Sequence, residues 1–283
     1  MAQRPFRFGV TGRGASLRQW RDFARKAEDL GYATLQLPDH FGPQLAPLIA
    51  LGVAAQATST LRLGTLVLDN DFRHPAVLAK EAATLDLLSE GRFELGIGTG
   101  SQPADNEQSG IRLDPPPVRY ERIVETIRIL KSFFADESVT FTGRHYRIDG
   151  LRAYPKPVQR PHPPLLMGAL GPRMLRLAAR EADIIGIMGD DVSAAGRLAI
   201  VRAAAGERFG HLEFNTLYLR VQVDGQPADS SQQFAYLAGL SGSRSEIVDY
   251  LEQRREVLGV SYVVVIGTAI DAFAPVVAHL AGR

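Results

Sequence analysis

The sequence predicts an α/β chain folded as a (β/α)8 TIM barrel, and three observations carry that expectation. Strand-like and helix-like segments alternate eight times from end to end. The length, 283 residues, is close to the roughly 250 typical of one such barrel. No dinucleotide fingerprint is present: Gly96-Ile-Gly-Thr-Gly100 is glycine-rich, but polar and Pro-rich sequence follows it where a helix would have to begin.

Taken in order, Phe6 to Val10 reads as the first strand. Ser16 caps a helix whose apolar stripe is Leu17, Trp20, Phe23, Ala27 and Leu30, and Gly31 is placed to end it. Ala33 to Leu37 is the second strand, and Pro47 opens a helix running to about Ser59. Leu61 to Leu68, mostly apolar on both faces, is the third strand; Pro75 starts its helix, which stops before Gly91. Phe93 to Ile97 is the fourth, followed from about Val118 by a helix with Ile123, Ile127, Leu130 and Phe134 along one side. The remaining strands are Leu165–Met167, Ile184–Met188, Thr216–Val223 and Tyr262–Ile266, with helices beginning near Pro172, Val192, Arg244 and Ile270.

Two stretches exceed the bare repeat. Residues 101–117 form a long loop after strand four, and residues 139–164 precede strand five. In the latter, Val139 to Ile148 alternates around Gly143 as a hairpin does, and Pro155 to Pro164 is held extended by its prolines. Both are expected to cover the barrel mouth, within one domain over 1–283.

Composition narrows the function classes. Lys plus Arg total 32 against 31 Asp plus Glu, so no global field points to nucleic acid or a membrane surface. With no cysteine, disulfides, thiolate metal sites and a Cys nucleophile are excluded. His145, His162, His211 and His279 show no metal-ligand spacing, and no metal is expected. The longest apolar run, around Tyr262 to Ile266, is far short of the ~20 residues that span a bilayer. The start, Met1-Ala-Gln-Arg-Pro5, has no apolar signal stretch, so a soluble cytoplasmic protein is expected.

Barrel active sites lie at the carboxyl ends of the strands, which leaves three candidate loops. Asp39 and His40 follow strand two; the imidazole can exchange protons near neutrality, or the pair is a turn with a capping Asp. Gly96 to Gly100 ends strand four, where missing side chains admit a flat ligand or satisfy a tight loop. Gly168 to Arg173 leads strand five into a helix that begins at Pro172, either a phosphate site at a helix N-terminus or an ordinary helix start. His74 before Pro75 either faces the mouth or caps its helix. Three such loops at one mouth suggest a flat, phosphate-bearing cofactor.

The order and spacing of several segments resemble the bacterial luciferase-like monooxygenase superfamily, and within it the F420-dependent oxidoreductase branch. They are Leu37-Pro-Asp-His40, Leu63-Gly-Thr-Leu-Val-Leu68, His74-Pro-Ala-Val-Leu-Ala-Lys80 and Ser89-Glu-Gly-Arg-Phe-Glu-Leu-Gly-Ile-Gly98, then Phe141-Thr-Gly-Arg-His-Tyr146, Pro155-Lys-Pro-Val-Gln159 and Gly171-Pro-Arg-Met-Leu-Arg-Leu-Ala178. The resemblance implies that Asp39 and His40 lie beside the reactive ring of the cofactor, with His40 handling the proton. It implies a non-prolyl cis peptide at Leu66-Val67 behind the ring, ring contacts from Thr99, Gly100 and Asn106, and a phosphate loop at Gly168, Ala169, Gly171 and Pro172.

Two departures bear on substrate. The F420-dependent sugar-phosphate dehydrogenases of this branch carry tryptophan where this chain has Gln44, and glutamate where it has Ser101. Both argue against glucose-6-phosphate. The expected activity is hydride transfer between coenzyme F420 and a small organic substrate, in a homodimer. The rivals are an FMN-dependent monooxygenase fed by a separate flavin reductase, and a cofactor-binding paralogue without catalysis.

Overall fold

The computed structural model describes residues 4–100, 102–229 and 237–283. The chain opens with β1 (Arg7–Thr11), α1 (Leu17–Asp29), β2 (Thr34–Leu37), α2 (Pro47–Ala57), β3 (Arg62–Thr65), β4 (Leu68–Asp69) and α3 (Pro75–Leu88). β5 (Phe93–Gly98), α4 (Pro103–Ser109), α5 (Pro116–Ala135), β6 (Ser138–Thr142), β7 (Arg147–Arg152) and β8 (Leu165–Gly168) follow. The rest is α6 (Pro172–Glu181), β9 (Ile184–Gly186), α7 (Asp191–Ala205), β10 (Glu213–Tyr218), β11 (Arg220–Val223), β12 (Gln226–Asp229), β13 (Gly239–Gly242), α8 (Arg244–Leu258), β14 (Val260–Val265) and α9 (Ile270–Leu280). Strands β1, β2, β3, β5, β8, β9, β10 and β14, each followed by helix, make the (β/α)8 barrel that the alternation predicts.

Two compact units divide the chain, one of Met1–Gln36, Ala57–Arg62 and Ala169–Arg283, the other of Leu37–Gln56 and Leu63–Gly168. In the first, parallel pairing runs β2–β1–β14–β10–β9, with Val10 opposite Leu35 and Val265. Phe8, Val10, Val263, Val264 and Val265 are wholly buried, each such side chain contributing about 1.5–3 kcal/mol. Ser16 does cap α1, accepting from the Gln19 N–H, and Trp20, Ala24 and Ala27 form its buried face. Leu17, expected in that stripe, is instead 64% exposed at the first turn. The expected seventh strand, Thr216–Val223, also divides. β10 ends at Tyr218, and β11 alternates exposed and buried residues in a separate sheet, antiparallel to β12 and parallel to β13.

In the second unit, β5 pairs in parallel with β3, β4 and β8. The expected third strand, Leu61–Leu68, is broken in two because Leu66–Val67 is a cis peptide, as the resemblance implies. Ile123, Ile127, Leu130 and Phe134 of α5 are buried as expected. The hairpin forms from β6 and β7. Its turn is tied to α5 by Glu125, whose carboxylate accepts the N–H groups of Arg144 (2.7 Å), His145 (3.1 Å) and Tyr146 (3.0 Å). A Cβ at Gly143 would lie 2.3 Å from that carboxylate, so a side chain there would displace Glu125 from the turn. The loop expected over 101–117 contains α4, with Pro103 in its first turn and Gly110 at φ 73° closing it. His74 caps α3 through the Ala76 N–H.

Candidate active site

Within the second unit, the segment after β2, the strand three–four bulge, the end of β5 and α4 bring together most of the residues singled out above. His40 stands just beyond β2, and its Nδ1 lies 2.7 Å from Asp105 Oδ2 on α4. The other oxygen of Asp105 accepts the Phe41 N–H at 3.0 Å. Gln102 places its amide nitrogen 3.1 Å from His40 Nε2 and 3.2 Å from Nδ1. His40 is thus gripped by a helix from the expected loop, at residues that no periodic or motif signal marks.

Asp39 faces elsewhere. Its carboxylate takes a two-pronged ion pair from Arg73 (2.5 and 3.2 Å) and the Asp69 backbone N–H at 3.1 Å. It ties the end of β2 to β4. Phe41, 53% exposed, packs edge-on against Phe72 at 5.2 Å. Gln44 donates to the Pro38 carbonyl at 2.8 Å.

The glycines of β5 and β8 have a reason that a ligand-approach reading does not supply. A Cβ on Gly96 would lie 1.8 Å from the Thr65 carbonyl oxygen. One on Gly98 would lie 2.8 Å from Val67 Cγ2, and one on Gly168 3.2 Å from the same methyl. Val67, on the cis bulge, fills the space that these glycines leave. Gly100 (φ 78°) does the same for Asp69, whose carboxylate would be 2.2 Å from a Cβ there. Thr99 and Gly100 are further held by Arg119, which donates to their carbonyls at 2.6 and 3.3 Å.

Asp69, unmarked by the sequence reading, is the most perturbed acid of this cluster. Burial pushes its carboxyl up from 3.8 to about 6; the Asp71 N–H pulls it back, the charges of Asp71 and Asp39 add to the rise, and Arg119 opposes it.

Two residues lack an internal partner, one in each unit. Asn106, 5% exposed and next in the chain to Asp105, has a buried Nδ2 with no hydrogen-bond partner among the described residues. Gly171 caps α6 with ordinary angles (φ −86°, ψ 154°), and a Cβ there would meet nothing within 4 Å. Neither conformation nor internal packing requires glycine at 171, and no side chain caps that helix. Ala169 is buried, whereas Gly171 and Pro172 are exposed in the first unit. Ser101 lies outside the described residues.

Comparison with known proteins agrees with this architecture. The chain is 32% identical over 252 residues to the F420-dependent glucose-6-phosphate dehydrogenase of Kineococcus radiotolerans, covering 83% of this chain and 73% of that protein. It is 36% identical to the enzyme of the same name from Microbacterium testaceum and 31% identical to the F420-dependent hydroxymycolic acid dehydrogenase of Mycobacterium tuberculosis. These two matches take in 63% and 64% of this chain, and about half the length of each relative, 55% and 52%. Among solved structures, the coenzyme F420-dependent tetrahydromethanopterin reductase of Methanopyrus kandleri superposes with a TM-score of 0.82, covering 98% of this chain and 100% of that one at 20% identity. Long-chain alkane monooxygenase superposes with the same score over 98% of this chain at 15% identity, a likeness of fold. The luciferase-like monooxygenase family model matches residues 4–258, and the chain belongs to that family.

Proposed function

We propose that this chain is an F420-dependent oxidoreductase that transfers a hydride between the deazaflavin and a small organic substrate, with His40 as its proton-handling group. The observation that carries the reading is His40 itself. It lies at the carboxyl end of β2, largely enclosed, with a carboxylate on one ring nitrogen, in the same unit as the Leu66–Val67 cis bulge. Relatives at 31–36% identity carry F420 dependence in their names, which favours this cofactor over FMN.

Coenzyme F420 supplies two-electron hydride chemistry when bound. The chain's residues would do the rest. Leu66 and Val67 back the ring, and Thr99, Gly100 and the orphan Asn106 Nδ2 supply backbone and amide contacts at its edge. Gly168, Ala169, Gly171 and Pro172 hold the phosphate end, where the α6 N-terminus favours an anion. Asp39, locked to Arg73, keeps the His40 segment in place. His40 exchanges a proton with the substrate oxygen. Gln44 and Ser101, where the sugar-phosphate dehydrogenases carry tryptophan and glutamate, support a substrate other than glucose 6-phosphate.

Purified protein assayed with F420 and reduced F420 against a panel of alcohols, aldehydes, ketones and enones tests the reading. Turnover with at least one partner, lowered by about 10²–10⁴-fold in His40→Ala, is expected. Oxygen consumption that requires reduced FMN, with no F420 turnover, would show the monooxygenase instead. A single barrel domain over 1–283, a homodimer and a cytoplasmic location belong to the same proposal. One unfolding transition and a dimer mass in sedimentation would support the first two.

A further inference from the structure

Resting on that reading of His40, we infer that Asp105 is a positioning residue that acts through the imidazole. It holds His40 as the Nδ1–H tautomer and thereby makes Nε2 the atom that takes up and returns the proton. The acid next to His40 in sequence does not do this, because both oxygens of Asp39 are committed to Arg73 and the Asp69 N–H. The acid 65 positions away does: Asp105 Oδ2 is 2.7 Å from Nδ1.

An ionised carboxylate only accepts, so the nitrogen facing it must carry the hydrogen. The carboxylate cannot rotate freely, since its other oxygen is fixed by the Phe41 N–H at 3.0 Å, and Asp105 is only 8% exposed. With Nδ1–H committed, Nε2 holds the one ring lone pair. The Gln102 amide nitrogen lies against the ring, 3.1 Å from Nε2 and 3.2 Å from Nδ1, and commits neither. Asn106, next along the same short helix, has a buried Nδ2 with no hydrogen-bond partner among the described residues. One turn of α4 therefore sets the tautomer of the proton carrier.

Asn at position 105 would reverse the tautomer. Its carbonyl oxygen would keep the Phe41 N–H, and its NH2 would face Nδ1, which would then have to accept and leave the hydrogen on Nε2. An imidazole in the wrong tautomer cannot take a proton at the reacting nitrogen, even with its geometry intact. The experiment is two-dimensional ¹H–¹⁵N correlation of the imidazoles in cofactor-free protein, with His40 assigned by its absence from the His40→Ala spectrum.

Wild type is expected to show Nδ1–H with a bare Nε2, and Asp105→Asn the opposite. Turnover in Asp105→Asn should fall by about 10²-fold or more, with F420 affinity by fluorescence quenching unchanged within about threefold. The wild-type spectrum is decisive even if the variant fails to fold: a hydrogen on Nε2 there overturns the inference. Asp105→Asn that keeps the wild-type tautomer, or full turnover, also overturns it. If His40→Ala retains full turnover while the tautomers are as stated, it is His40's place in the chemistry that fails, and Asp105's role with it. A wrong tautomer with His40→Ala inactive refutes Asp105 alone.

Discussion

Replacing Asp69 with Asn should stabilise the protein, and by more as the pH rises. Asp69 accepts the Asp71 N–H at 3.0 Å, faces Gly100 and shares its surroundings with the charges of Asp39 and Asp71. Its folded value, about 6, lies above the 3.8 of the unfolded chain, so the unfolded state releases this proton more readily. Stability is therefore intact below about pH 4, is lost as pH climbs through 6, and is flat beyond. The gap between 3.8 and about 6 corresponds to about 3 kcal/mol at roughly 1.4 kcal/mol per tenfold change in proton affinity. Asn keeps an acceptor for the Asp71 N–H and removes the charge. In urea titrations its advantage over wild type should approach about 3 kcal/mol at pH 8 and be about 1.4 kcal/mol smaller at pH 5. An advantage independent of pH, or a variant less stable than wild type at pH 8, would refute the electrostatic account of this cluster.

Other substitutions separate the hairpin from the phosphate loop. Glu125→Ala leaves three backbone N–H groups of the turn without their carboxylate; it should cost about 2–4 kcal/mol in urea and expose residues 139–148 to protease. Gly171→Ala should change stability by no more than about 0.5 kcal/mol, because nothing in the protein lies within 4 Å of the added Cβ. Its F420 dissociation constant should nevertheless rise by about tenfold, or ~1.4 kcal/mol; equal affinity would remove this loop from the phosphate site.

The barrel was legible because its signals are local. Pro47, Pro75 and Pro172 start helices where expected, Ser16 caps one, and the apolar face of α5 falls on the residues that periodicity marks. The breaks come where tertiary packing decides. α4 has seven residues, and its buried face is built from Asp105 and Asn106, so it has no apolar period to read. Its Pro103 and Gly110 were the available clues. The glycines at 96, 98 and 168 were visible as glycines, but their occupant, Val67, reaches them only through the cis bulge. β11 differs from β10 in being wet on one face, and a continuous apolar-rich reading merged the two. In the site, the His40 segment could be picked out by motif, whereas Asp105 meets a histidine 65 positions away and Asp69 is perturbed first by burial, neither of which a local pattern marks.

Equilibrium titration of the purified protein with F420 and FMN in parallel, followed by fluorescence, is the most direct measure of the proposed chemistry. Saturable 1:1 binding of F420, at least tenfold tighter than FMN and weakened by Gly171→Ala, is the result this account predicts. Tight binding of FMN with none of F420 would contradict it.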